Sequence, residues 1–348
     1  MLTTIVSFFV IFTLLAFAHE LGHYIWARRA GIKVYEFGFG FGPRLLAREW
    51  SGTIFSINLL PILAFVRIAG EGDSAEDANI PADQLFFNKP LLARAKCLLA
   101  GPFMNLGFAL CILFVLFSIA GIPSGISNEI GAVNPGSPAE KAGILVGDRL
   151  IAINGVKYEQ MEKAISQIHQ SRNKQLILSL SRQGKPITVK ATPKLNQRLN
   201  ISLLGFSPKP LYVQASIFQA VYKAIEQTIS LIILTLVIVW KLITGGVSLG
   251  DLAGPVGIAQ VTGKYAESGL VSLVYFAAFL NVNIGVLNLL PLPALDGGHL
   301  VFIFVEWLRK KPLDRALMEK INSWGMTALL TLMAFVTIND LLRLFGRH

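Results

Sequence analysis

An apolar run that begins at Leu2 carries, near its far end, the five residues His19-Glu20-Leu21-Gly22-His23. Residues four apart share one face of a helix. This H-E-x-x-H pattern therefore offers two imidazoles to one metal ion. Glu20, beside the first of them, can reach a metal-activated water as general base. Zinc is the default metal for two imidazoles and a carboxylate with one position left open. The same histidines could instead hydrogen-bond to neighbours at the polar end of a membrane helix. The apolar surroundings favour the metal, because ionisable groups inside a membrane are costly and by default functional.

The rest of the chain agrees with a membrane setting. Of its 348 residues 53% are apolar and only 15% charged, and the mean hydropathy is +0.58. This is the composition of a polytopic α-helical membrane protein with a soluble insert. The net charge of +10 reads as basic loops facing the cytoplasmic leaflet. No stripe of interleaved cations and aromatics points to nucleic acid. Cys97 and Cys111, both in or beside one apolar segment, form neither a disulfide framework nor a metal site. The first segment lacks a basic leader and a small-residue cleavage site, and it carries the metal motif, so it reads as retained.

The first span runs from about Leu2 to Trp26. Arg28 and Arg29 follow it, so its C-terminal end is cytoplasmic and the motif lies toward the cytoplasmic half. Residues 34–70 alternate aromatics with glycine, then turn rich in strand formers over Thr53–Leu60. Leu59–Arg67 is too apolar for an exposed loop and too short to span. A β-hairpin dipping into the membrane beside the site fits, as does an interfacial loop with apolar anchors. Glu71–Asp83 is acidic and reads as solvated. A second span covers about Leu98–Ala120. Asn105 near its start serves either interhelical packing or the site.

Residues 126–194 read as soluble. Ser137-Pro138-Ala139 opens a short helix, Asn154-Gly155 marks a tight turn, and Glu159–Gln170 reads as helix. Strands are expected at Gln175–Ser181 and Pro186–Ala191, joined at Gln183-Gly184. The run from Ser137-Pro138-Ala139 through Gly147-Asp148 to Asn154-Gly155 resembles a circularly permuted bacterial PDZ domain. Such domains bind extended peptides by strand addition. The groove strand is expected at Ile130, Gly131, Ala132 and Val133, although a rigid spacer is the plainer role.

Asn288-Leu289-Leu290-Pro291-Leu292-Pro293-Ala294-Leu295-Asp296-Gly297 closes a third apolar run, Leu270–Leu290. If Asp296 is to meet His19, both helices must end on the same side. A spanning 225–243 segment would reverse the second one. Residues 216–244 are therefore expected as a helix lying on or partly in the outer leaflet, and a final span starts near Trp324. Four spans result.

The histidine motif, the Asp296 motif and the intervening PDZ-like region together resemble the site-2 protease family, in its bacterial regulator-of-sigma-E form. The resemblance covers almost the whole chain, and Gly101-Pro102-x-x-Asn105 and Gly254-Pro255 share in it. It implies zinc held by His19, His23 and Asp296, Glu20 as general base, and Asn288 as a catalytic residue facing substrate or transition state. It implies that Ile54, Phe55, Ser56, Ile57 and Asn58 hold substrate extended. The expected partners are single-span membrane proteins (anti-sigma-factor-like proteins or remnant signal peptides), a peptide ligand of the PDZ domain, and lipid. The expected place is the bacterial plasma (inner) membrane, with the PDZ domain extracytoplasmic. Leu63-Ala64 stands where the family carries Gly-Gly, and one PDZ domain stands where some relatives have two.

The division expected is a first half of the membrane core at 1–121, a PDZ domain at 126–195, a surface amphipathic helix at 210–250 and a second half of the core at 251–348. The architecture is thus a polytopic α-helical membrane protein with membrane-associated β-hairpins and one α+β PDZ domain. Two other classes fit less well. A zinc transporter needs ionisable residues along the other spans, and Cys97–Ala120 and Leu270–Leu290 carry almost none. A non-proteolytic PDZ scaffold has no use for Glu20.

Overall fold

A computed structural model describes residues 2–72, 75–196, 201–248, 250 and 252–345. Residues 73–74 of the acidic segment, and 249 and 251 at the boundary placed at 250–251, lie outside them. In chain order the elements are α1 (Leu2–Arg29), β1 (Val34–Trp50), β2 (Thr53–Ile68), α2 (Leu91–Ala120), β3 (Ile122–Val133), α3 (Pro138–Lys141), β4 (Arg149–Ile153), β5 (Val156–Lys157), α4 (Met161–Gln170), β6 (Leu176–Arg182), β7 (Lys185–Ala191), β8 (Lys194–Asn196), β9 (Ile201–Leu203), β10 (Phe206–Val213), α5 (Ile217–Ile243), α6 (Pro255–Glu267), α7 (Leu270–Asn288), α8 (Asp296–Arg309) and α9 (Arg315–Leu344). They form two compact units, 1–116 with 221–348, and 117–220.

The first unit holds the long apolar helices. By length and composition α1, α2, α5, α7 and α9 could each cross a membrane. Their apolar faces point outward: 17% of the most apolar window of α1 and 11% of that of α9 is buried against protein. Lipid is the solvent that suits such surfaces. The inward faces hold polar groups in pairs. Arg94 on α2 donates to Glu306 on α8 at 2.6 Å, both buried. Asp340 on α9 accepts from the Gly257 N–H in the first turn of α6 at 2.7 Å.

Beside α1 lies a small sheet made by β1 and β2 alone. Left-handed Gly40 and Gly42 (φ +84° and +92°) bend β1 back on itself. Its second half pairs antiparallel with the start of β2, from Trp50↔Thr53 to Arg44↔Asn58. Its first half pairs on two sides. Phe37 faces Phe55, Gly38 faces Ser56 and Phe39 faces Ile57, the numbers rising together, while Phe37, Gly38 and Phe39 also face Val66, Phe65 and Ala64 in falling order. Aromatic contacts bind the sheet to α1, with Phe17 stacked on Phe39 at 5.5 Å and Tyr24 edge-on to Phe37 at 5.6 Å.

The second unit is a sheet in the order β10-β3-β4-β6-β7 with α3 and α4. Its core of Ile130, Ile144, Leu150, Leu178 and Leu180 is buried to 2% exposure or less. Ser137 caps α3 by accepting from the Glu140 N–H. Asn154-Gly155 and Gln183-Gly184 take the left-handed turns read for them. The unit runs on past residue 195, because β10 returns to pair with β3. Residues 210–213 of the segment expected at 210–250 are thus strand, ahead of the helix.

The helix expected on or partly in the outer leaflet is α5, and it packs on α7. Gln227 donates to the Tyr275 hydroxyl at 2.9 Å and Thr235 to Asn283 Oδ1 at 3.0 Å. Both partners advance by eight residues, so α5 runs beside α7 in the same sense. Its buried positions Ala224, Thr228, Leu231 and Thr235 make one stripe.

Candidate active site and metal centre

His19 and His23 project from α1, and Asp296 opens α8. Their facing atoms are close: His19 Nε2 lies 3.2 Å from His23 Nε2 and 3.2 Å from Asp296 Oδ2, and His23 Nε2 lies 3.5 Å from Asp296 Oδ2. Tetrahedral donors bound to zinc at about 2.0–2.1 Å stand about 3.3–3.4 Å apart. The three separations match that set.

The outer nitrogens explain why these atoms are free to ligate. His23 Nδ1–H donates to the Cys97 carbonyl at 2.9 Å, which leaves the Nε2 lone pair facing Asp296. The Asn105 amide lies 3.4 Å from His19 Nδ1, and its buried Oδ1 otherwise has no partner. Turned so that Oδ1 accepts from Nδ1–H, the amide gives His19 the same tautomer. Asp296 Oδ2 is itself buried without a hydrogen bond. Three lone-pair atoms thus face one another with no proton between them, and a cation is what such a set requires.

Glycines bring the elements close enough. A Cβ at Gly22 would stand 2.2 Å from the Ala100 carbonyl oxygen, and one at Gly101 would stand 2.2 Å from His23 Nε2. Gly297 and Gly298 fold α8 back against the carbonyls of Leu290 and Leu292, where added Cβ atoms would stand 2.1 and 2.3 Å away. The bend before Asp296 puts Ala294 at φ +71°. Asn322 on α9 steadies it, accepting from the Ala294 N–H at 3.3 Å and meeting His299 at 3.2 Å. Burial holds the His299 imidazole below its usual range, so it stays neutral at this contact.

Glu20 faces the sheet. Its Oε2 accepts from the Val66 N–H at 3.1 Å, and Thr13 Oγ1 accepts from the Leu63 N–H at 3.2 Å. The edge of β2 at 63–68 therefore lies along α1 at the site. Leu63 turns into that edge at φ +68°, the left-handed conformation for which glycine is the unstrained residue.

Other expected site residues fall elsewhere. Ile54–Asn58 lies inside the sheet, paired with β1 on both flanks, and Asn58 donates to the Gly40 carbonyl. No edge is free there to accept an added strand. Asn288 donates to the Ile284 carbonyl in its own helix at 3.0 Å. Ile130–Val133 is also an inner strand. Val133, Ala132 and Ile130 pair with Phe206, Ser207 and Pro208, and on the other flank Ile130 N–H donates to the Asp148 carbonyl. The outermost strands of that sheet are β10 and β7. Cys97, Thr13, Val66 and Asn322 were not singled out in the sequence. They act through backbone groups or single long-range contacts, which leave no local pattern.

The profile of peptidase family M50 matches residues 7–332. The regulator of sigma-W protease RasP of Bacillus subtilis is 31% identical over 420 residues, covering 98% of this chain and 99% of that protein. The zinc metalloprotease RasP of Geobacillus kaustophilus is 32% identical over 421 residues, covering 99% of each. That of Bacillus licheniformis is 30% identical over 421 residues, covering 99% of this chain and all 100% of its own. The ligand geometry, the apolar helices that carry it and these likenesses agree: the chain belongs to peptidase family M50, as a zinc metalloprotease of the site-2 protease family.

Proposed function

We propose that this enzyme cuts single-span membrane proteins within or beside the bilayer in regulated intramembrane proteolysis, with anti-sigma-factor-like proteins and remnant signal peptides as substrate classes. The observation that carries the reading is the His19, His23 and Asp296 cluster built between helices whose outward faces are apolar. These three residues are assigned as the zinc ligands. Bound zinc supplies Lewis acidity toward a carbonyl and acidifies a water.

Glu20 is assigned as general base. The Val66 N–H occupies its Oε2, which leaves Oε1 to take a proton from the attacking water and pass it to the leaving amine. The edge at Leu63–Ile68 is assigned to hold substrate by strand addition, in place of Ile54–Asn58. It is the β edge that reaches the catalytic carboxylate, and a substrate helix must unwind before its peptide bonds are exposed. Asn288 is assigned to the substrate or transition-state oxygen, after its amide leaves the Ile284 carbonyl.

The 117–220 unit is read as a PDZ domain outside the cytoplasm of a bacterial inner-membrane protein, with the metal site toward the cytoplasmic half. α1, α2, α7 and α9 are read as the four crossings, with α5 accompanying α7. Gly250 accepts hydrogen bonds from Asn339 and Arg343 near the end of α9, which supports placing Gly250 at that end. A topology tag at Gly250 should report the same side as the 117–220 unit, and a cytoplasmic report would break this count.

The test of activity is Glu20→Gln in liposomes with a single-span reporter. Zinc content should stay at the wild-type level while cleavage stops. Undiminished cleavage by that variant would sink the assignment.

A further inference from the structure

We propose that the cleft between the end of α1 and the start of α2 binds the headgroup of an anionic phospholipid. The cleft is open, holds about 280 Å³, and is lined by Trp26, Arg29, Pro90, Leu92, Ala93 and Lys96 among others. Two cations converge on one indole there. Arg29 Cζ stands 5.5 Å and Lys96 Nζ 5.8 Å from the Trp26 ring. Among the described residues neither cation has a carboxylate within ion-pair distance. Like charges from two helices, gathered over one ring and uncompensated, are relieved by an anion between them.

The apolar part of the cleft names the source of that anion. Leu92 is 66% exposed, and with Pro90 and Ala93 it continues the lining away from the cations. A free phosphate has no use for that surface, whereas an acyl chain does. A tryptophan beside two cations at the end of an apolar helix marks the headgroup level. A second cleft of about 440 Å³, beside Lys310 and Lys311, makes the contrast. Its wall holds the buried Glu306 carboxylate, and that carboxylate already neutralises Arg94.

The site has a bearing on the metal centre. Trp26 follows His23 by three residues, and Lys96 precedes Cys97, whose carbonyl holds His23 Nδ1. A phosphate between Arg29 and Lys96 ties α1 to α2 one turn beyond that bond.

The experiment titrates the zinc-loaded full chain in detergent with phosphatidylglycerol and reads the bound complex by native mass spectrometry. Phosphatidylcholine and inorganic phosphate are the other arms. One phosphatidylglycerol should bind in preference to phosphatidylcholine, and equimolar inorganic phosphate should not displace it. Each lost charge should weaken binding about 5-fold, so Arg29→Gln alone loses about 5-fold and R29Q/K96Q about 25-fold. R29K/K96R and K310Q/K311Q should bind as wild type. Three results would overturn the proposal: unchanged binding in R29Q and R29Q/K96Q, displacement by inorganic phosphate, or an equal loss in K310Q/K311Q.

Discussion

The two units solve opposite solvent problems with one alphabet. In the 117–220 unit apolar side chains close on one another and polar residues cover them, with Ile130, Leu178 and Leu180 wholly buried. In the other unit the apolar faces are outside. What is buried there includes His23, Glu36, Asn58, Arg94, Asn105, Asn281, Glu306 and Asp340. Glycines differ in the same way. Gly136, Gly147 and Gly155 have positive φ and open space where a Cβ would go, whereas Gly22 and Gly297 have helix or turn backbones against them and Gly101 has the His23 imidazole. The 117–220 unit is held by hydrophobic burial and turn chemistry. The helical unit is held by close backbone approach and paired polar groups, because lipid offers apolar surfaces no incentive to leave it.

That contrast can be broken at its strongest point first. Asp296→Ala removes one of the three proposed ligands and should bring both bound zinc and cleavage to background, measured by metal analysis and reporter cleavage. Zinc retained at wild-type level would exclude Asp296 from the ligand set. Gly22→Val comes next. Its side chain meets the Ala100 carbonyl, so the overpacking should cost about 1–3 kcal/mol and lower zinc occupancy. Gly147→Ala, with open space but a positive φ, should cost only about 1 kcal/mol and spare zinc. Equal effects would erase the distinction between the two kinds of glycine.

Leu178→Ala should destabilise the 117–220 unit by about 2–5 kcal/mol. Hydrogen exchange should rise across β4, β6 and β7 while zinc stays bound. Asp148 gives a smaller, pH-dependent effect. The Arg182 guanidinium holds its carboxyl below the usual carboxylate range, against the opposing effect of burial. Its stabilisation is full above the unfolded value of about 3.9 and is lost as pH falls through the depressed folded value. Asp148→Asn should flatten the acid limb of that unit's unfolding curve, and an unchanged limb would remove Asp148 from the account. Leu63→Gly should change least. Relief of left-handed strain, about 1–2 kcal/mol, is largely offset by the added freedom of glycine, about 0.5–1 kcal/mol. A net loss above about 2 kcal/mol would mean that the Leu63 side chain supports the strand edge.

Local features were legible because their causes are local. The apolar lengths of α1, α2 and α7, the cap at Ser137 and the turns at Asn154-Gly155 and Gln183-Gly184 each follow from a few adjacent residues. The β region beside α1 was legible as a hairpin but not in its pairing. A strand former does not reveal which of its flanks will be taken. β1 covered both flanks of Ile54–Asn58 and left Leu63–Ile68 as the edge at Glu20. The packing of α5 was hidden for a related reason. Its apolar character was legible, but not that α7 would lie beside it.

The sequence by itself determined the chemistry of the centre. H-E-x-x-H places two imidazoles on one helix face by the helical repeat alone, and the apolar run around them makes a metal the natural reason to keep them there. Only the tertiary structure decided how Asp296 reaches them, which carbonyl and amide orient the two rings, and which strand edge meets Glu20. Those contacts join residues far apart in the chain, such as the 74-residue separation of His23 and Cys97. They exist only once glycine-lined helices have closed on one another.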